Sequence, residues 1–242
     1  MNLRLEGRTA IVCGASSGIG LAIAELLAEE GSNVAMFARG REALEREAER
    51  IGGLAVRGDV RNPADLSRLV ELTVQAFGGI DILVNNSGGP PPGTALELTD
   101  EAVEDAVELL LVSVVRLTNL CLPYLARSGQ GRIVNITSST VRQPVDDLAL
   151  SNVVRPGVIG WAKTLSRELA PKGITVNSIA PGRIDTPRIA QLGHQDASGI
   201  PIGRVGRPPE LAAVACFLAS EPASYVTGAV IPVDGGLTRS LL

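Results

Sequence analysis

The run Thr9-Ala10-Ile11-Val12-Cys13-Gly14-Ala15-Ser16-Ser17-Gly18-Ile19-Gly20-Leu21-Ala22-Ile23-Ala24 decides the fold. Thr9–Cys13 is a short apolar stretch closed by Gly14, the pattern of a buried strand. From Gly18 to Glu30 the chain is rich in Ala and Leu at helical spacing and stops at Gly31. Between the two, Gly14, Gly18 and Gly20 permit a tight turn and close approach of backbone to a phosphate. The helix that follows offers free N–H groups and the positive end of its dipole. Glycines occur in every loop, so the triplet alone says little. Its position after a strand, at the head of a helix, makes Gly14, Ser16, Ser17, Gly18, Ile19 and Gly20 candidates for holding a pyrophosphate.

The same alternation continues outward to the C-terminus. Strands are expected at Asn33–Ala38, Leu54–Arg57, Ile80–Asn85, Arg132–Thr137, Ile174–Ile179 and Val226–Val233. Helices are expected at Arg41–Arg50, Pro63–Phe77, Asp100–Ala126, a segment ending near Ala170, and Pro208–Ala219. Strands that are apolar throughout and alternate with helices form a parallel sheet covered on both faces. With right-handed crossovers this is a doubly wound, Rossmann-type α/β domain, and 242 residues suit one such domain. Two long loops follow strand ends, where ligands bind in these sheets: 87–99, with three consecutive prolines, and 182–207, rich in Gly and Pro.

Composition narrows the function. A net charge of −4 argues against a nucleic-acid surface, and 2% aromatics leave no stacking platform for single strands. Lysine is confined to Lys163 and Lys172. Cys13, Cys121 and Cys216 are far apart in apolar runs, so neither a disulfide framework nor a C-x-x-C metal site is expected, and buried thiols in a reducing cytoplasm are the plain reading. Residues 1–6 hold no apolar signal core, and charges break the apolar runs, so no membrane span is expected.

Several further motifs fall in order along the chain. The glycine spacing is G-x-x-x-G-x-G. Asp59-Val60 follows the third strand. Asn85-Asn86-Ser87-Gly88, Pro181-Gly182 with Thr186, and Val233-Asp234-Gly235-Gly236 come later. Together, over essentially the whole chain, they resemble the short-chain dehydrogenase/reductase family, and within it the 3-oxoacyl-(acyl-carrier-protein) reductase branch. The resemblance implies that Asp59 binds the adenine amino group and Val60 lines its pocket. It puts Asn86 near the adenosine ribose and Ile184 and Thr186 at the nicotinamide carboxamide, with Gly88, Pro181 and Gly182 also among the cofactor-binding residues. The second strand ends Phe37-Ala38-Arg39, where NAD-preferring relatives carry an acid. An Arg there pairs with a 2′-phosphate, which favours NADP(H) over NAD(H). The plainer alternatives are a solvated loop residue at Arg39 and a cap or turn residue at Asp59.

The resemblance also implies a catalytic set of Ser, Tyr, Lys and Asn. Ser138, at the end of Arg132-Ile133-Val134-Asn135-Ile136-Thr137-Ser138, takes the serine place. Thirteen residues on, the tyrosine place holds Ser151, and four further the lysine place holds Arg155. The asparagine place, judged back from Leu122-Pro123, is Leu110. Only Tyr124 and Tyr225 exist, followed four residues later by Ser128 and Ala229, so no shift of register restores Y-x-x-x-K. Ser151 and Arg155 remain the candidates for the missing roles, with Arg155 also a partner for the ribose. Pro156-Gly157 is costly inside a helix, which predicts a helix starting at Ser151 or later with Ser151 or Asn152 as its N-cap. His194, the single histidine, and Asp146 and Asp147 are other titratable groups near the site in sequence; each reads more simply as a solvated loop residue.

Three functions fit these features. One is an NADP(H)-dependent oxidoreductase acting on a small carbonyl or acyl substrate with altered proton delivery. Another is a catalytically silent dinucleotide-binding subunit or sensor. The third makes the glycines fold determinants only, against which Arg39 and Asp59 speak. The family resemblance further implies a homotetramer or dimer packed through the long helices, and the apolar Leu109, Leu110 and Leu111 are consistent with that.

Overall fold

A computed structural model describes residues 1–193 and 196–241; His194 lies outside them. Seven strands are hydrogen-bonded side by side in parallel: β1 (Thr9–Cys13), β2 (Asn33–Ala38), β3 (Leu54–Arg57), β4 (Ile82–Asn85), β5 (Arg132–Ile136), β6 (Thr175–Pro181) and β7 (Val230–Val233). Their order in the sheet is β3-β2-β1-β4-β5-β6-β7. Chain order reverses direction between β1 and β4, the point at which a doubly wound sheet opens a crevice.

The helices are α1 (Gly18–Glu29), α2 (Arg41–Ile51), α3 (Pro63–Phe77), α4 (Asp100–Val107), α5 (Ser113–Ser128), α6 (Ala149–Leu169), α7 (Pro187–Gln191) and α8 (Pro208–Ala219). Alternate residues of β1 enter two cores. Ala10 and Val12 pack with Ile23, Leu27, Leu211 and Ala215 on one face of the sheet. Ile11 and Cys13 pack with Leu66, Leu69, Leu117 and Cys121 on the other. This two-sided burial is why the strands read as continuous apolar runs.

The expected long helix over 100–126 is present, but a wider π turn at Glu108–Val112 divides it into α4 and α5. The expected late start of α6 is overturned. Ser151 and Asn152 lie inside this helix, and Pro156 sits about two turns from its beginning. Pro156 and Gly157 are both exposed, so the carbonyl that loses its donor, that of Asn152, lies on the outward side of the helix. The start is fixed by contacts with the preceding loops instead of by a cap. The Ala149 N–H donates to the Gly93 carbonyl (3.2 Å). The Asn152 side chain closes a ring with the backbone N–H (3.1 Å) and C=O (2.9 Å) of Val145.

Candidate active site

A cleft of about 1050 Å³ opens at the carboxyl ends of the strands. The glycine turn lines it with Gly14, Ser16, Ser17, Gly18 and Ile19. Arg39, Asp59 and Val60 stand at one end, and Asn86 and Gly88 in the middle. Ser138, Ser151 and Arg155 line the part beside β5, and Pro181, Gly182, Ile184 and Thr186 the part beside β6. Of the candidate cofactor residues, Gly20 alone is not among the lining. A Cβ there would stand 2.2 Å from the Gly14 carbonyl oxygen, so Gly20 serves the packing of the turn on its own helix.

Gly14 has φ +61°, and a Cβ on it would lie 2.6 Å from Asn86 Nδ2. That amide donates to the Cys13 carbonyl (3.1 Å) and so braces the end of β1 against the loop after β4. Ser17 heads α1 without a side-chain cap bond, and no acid stands in the first turn. The helix therefore presents unneutralised N–H groups to the cleft, the setting in which an anion is held.

At the β2–β3 end, Asp59 is gripped by Arg61 through Nη2 to Oδ2 (2.8 Å) and Nε to Oδ1 (3.2 Å). These bonds hold the Asp59 carboxyl below the usual carboxylate range. Arg39 is exposed at the rim. Arg61 also lines the cleft and was not singled out in the sequence. Its position two residues after Asp59, in a turn, was the available signal.

The β5 end differs. Ser138 Oγ accepts from the Thr140 N–H (3.2 Å) and starts a short 3₁₀ turn. Ser151 Oγ lies 3.1 Å from Thr140 Oγ1, and both side chains are buried. Arg155 is only 8% exposed. Its Nη1 donates to the Ile136 carbonyl (3.3 Å), and among the described residues its Nε has no partner. Burial, and after it the charge of Arg188, pulls its pKa down to about 10. Leu110 faces away from the cleft into a small core with Ala106, Leu150 and Val154, while Leu109 lines the cleft. Asp146 is exposed on the rim; Asp147, with φ +57°, gives its carbonyl to the Gly93 N–H.

The loop after β6 holds a helix, α7, that the sequence did not reveal. Thr186 caps it and also packs where a Cβ on Gly18 would lie, 3.1 Å away, so the loop touches the glycine turn. Arg188 reaches across to the Pro90 carbonyl. The free N–H groups of α1, the glycine turn that a Cβ would fill, and the orphaned Nε of Arg155 all fit a bound dinucleotide with its pyrophosphate on α1. Among the described residues no group of three His, Cys, Asp or Glu side chains is placed to hold a metal.

One segment departs from the expected breaking of apolar runs by charge. Asp100–Ser128 reaches the length and apolarity of a spanning segment, with a mean hydropathy of 1.7 over its best 18 residues. Its two charges nearest the middle, Glu108 and Arg116, pair at 2.6 Å. The helix nonetheless lies in the layer covering the sheet, with Leu117, Cys121 and Leu125 in the core.

Residues 14–238 match the family described as Enoyl-(Acyl carrier protein) reductase. The chain belongs to the short-chain dehydrogenase/reductase family of oxidoreductases. It is 36% identical over 241 residues to the 3-oxoacyl-(acyl-carrier-protein) reductase of Vibrio cholerae, covering 97% of this chain and 99% of the relative. Among solved structures, L-sorbose reductase from Gluconobacter frateurii complexed with NADPH and L-sorbose superposes with a TM-score of 0.94 at 35% identity over the full length of both chains. Actinorhodin polyketide ketoreductase with NADPH does so with a TM-score of 0.91 at 36% identity, covering 96% of this chain and 97% of that one.

Proposed function

We propose that the chain binds NADP(H) in this cleft and interconverts a carbonyl and an alcohol on a small 3-oxoacyl-type substrate, with proton delivery altered from the family pattern. The observation that carries the reading is one cleft lined by the glycine turn at the head of α1, Asp59, Asn86 and Thr186, beside a stretch that keeps only Ser138 of the expected catalytic set. The NADPH in the related structures and the cation Arg39 at the rim support the phosphorylated cofactor. The family description names an enoyl reductase, but the near full-length relatives are 3-oxoacyl reductases, and we follow these.

In this reading Ser16, Ser17, Ile19 and the head of α1 hold the pyrophosphate. Asp59 and Val60 take the adenine, and Asn86 and Gly88 the ribose side. Pro181, Gly182, Ile184 and Thr186 position the carboxamide. When bound, the nicotinamide supplies or accepts a hydride. Ser138 orients the substrate oxygen, and loops 87–99 and 182–207 shape the substrate space. Ser151 and Arg155 occupy the tyrosine and lysine places. A serine hydroxyl is a far weaker acid than a phenol of pKa about 10. Water held by Ser138 or Ser151 then delivers the proton, at a loss of roughly 10²–10⁴ in rate against a positioned acid. Arg155, charged at neutral pH, donates hydrogen bonds to the ribose.

A second reading, a silent NADP(H)-binding subunit, is favoured by one contact: the Ser151 hydroxyl is engaged by Thr140. Fluorescence titration with NADPH, followed by its oxidation with 3-oxoacyl and other ketone substrates, separates the two. Binding with turnover supports the enzyme, and binding without turnover supports the silent subunit. No binding of either dinucleotide overturns both. We further propose a cytoplasmic homotetramer or dimer. The three buried free cysteines support a reducing compartment, and the half-buried Leu109 and Leu111 with exposed Val153 support pairing through the long helices. Light scattering on purified protein checks the assembly.

A further inference from the structure

We propose that the reaction end of the cleft is built for a substrate bearing a free carboxylate, a small oxo or hydroxy acid, bound between Arg155 and Arg188. The proposal rests on the reading above and names its substrate class.

Two guanidinium groups face this part of the cleft. Arg155 comes from α6, is over nine-tenths buried, and among the described residues has one carbonyl partner and an unpartnered Nε. Arg188 comes from α7, is partly buried, and extends to the loop after β4. There it donates to the Pro90 carbonyl, and its Nη2 lies 2.9 Å from where a Cβ on Gly89 would be. Among the described residues neither forms an ion pair, although exposed arginines elsewhere in the chain do. Of the carboxylates lining the cleft, Asp59 is committed to Arg61 at the far end, and Asp146 is exposed on the rim. Backbone carbonyls satisfy N–H donors without cancelling charge. A buried charge with no counter-ion is costly, and the charge of the partly buried Arg188 adds to that cost at Arg155.

The bound dinucleotide does not remove this cost at Arg155. Its pyrophosphate belongs at the head of α1, beside β1. The Ile136 carbonyl that Arg155 touches ends β5, two strands away, about 10 Å across the sheet. Ribose hydroxyls can satisfy Nε but are neutral. In the family pattern a cation here serves a tyrosine, and this chain has none at that place. The missing anion therefore comes with the substrate. Guanidinium forks bind carboxylates through paired, charge-assisted bonds, and a thioester or ester offers no such group.

The test is calorimetric titration with acetoacetate and with methyl acetoacetate, on protein alone and on protein saturated with NADPH. The acid is expected to bind about tenfold tighter than its ester or more. Arg188→Met and Arg155→Met are each expected to abolish that preference, and Arg188→Lys to restore part of it. Equal affinity of acid and ester in the unaltered protein overturns the proposal. A preference that survives both Met variants does too, as does an Arg188→Met variant that loses NADPH affinity while keeping the preference. NADPH binding is read in the same samples. A chain that binds no NADPH yet prefers the acid breaks the dinucleotide reading and leaves this one standing.

Discussion

The two ends of the cleft are built on opposite principles. At the β2–β3 end the acid is paired: Asp59 is held by two bonds from Arg61. At the β5 end Arg155 is more deeply buried than either and has no counter-ion among the described residues. The middle, where the glycine turn meets α1, relies on backbone. The contrast teaches where change is tolerated. A site made of N–H groups and missing Cβ atoms survives any substitution that keeps the turn, whereas a site made of side-chain chemistry is one or two substitutions from another task.

The hardest way to break this contrast is to refill the reaction end. Ser151→Tyr with Arg155→Lys is expected to raise NADPH-dependent ketone reduction by roughly 10²–10⁴, about 3–5.5 kcal/mol of barrier. Steady-state kinetics reads it. No gain would mean that the Tyr cannot reach the substrate oxygen from the Ser151 position in α6.

Next in size is the unpaired charge. Arg155→Met is expected to stabilise the ligand-free protein by about 1–4 kcal/mol in chemical denaturation. The sign follows from the lowered pKa. A base whose folded pKa is lowered to about 10 by burial destabilises the fold at all pH below that value, and the penalty fades as pH rises through it. A loss of stability in the Met variant would show that Arg155 already has its counter-charge.

At the other end, Arg39→Ala is expected to weaken NADPH binding by about 1.5–3 kcal/mol, with NADH little changed. Equal losses for both dinucleotides would remove Arg39 as the discriminator. The smallest effect concerns Asp59. Its carboxyl is held below the usual range, so the pair with Arg61 stabilises the protein above about pH 4 and that contribution is lost as pH falls through the lower folded value. For a partly exposed pair this amounts to a few tenths of a kcal/mol. As pH falls below about 4, unfolding midpoints should therefore drop more steeply for the unaltered protein than for Asp59→Asn.

The sheet was legible because burial on both faces leaves an unmistakable apolar run, and glycine or proline closes most of them. Ends were less so. β4 starts at Ile82 and β7 at Val230, later than their apolar runs, because apolar residues continue beyond the paired backbone. Pro156 misled the reading of α6 because propensity counts the lost hydrogen bond but not the side of the helix on which it is lost. The glycine turn, Asp59 and Ser138 could be found by position after a strand. Arg188 could not, since its reach to Pro90 depends on how α7 folds back over the cleft. The Ser151–Thr140 contact was hidden for the same reason, being made between two segments that only the fold brings together.

The wide turn at Glu108–Val112 has one more consequence. Leu110 and Leu117 are seven residues apart, and in an unbroken α-helix of 3.6 residues per turn they would share a face. The extra residue of a π turn sets them out of phase by about 100°. One rod can thus point Leu110 at α6 and Leu117 at the sheet, working like a cam with two lobes. Tightening that turn to a regular α turn with no residue removed would bring the lobes back into line, and one of the two cores would then be left facing polar side chains.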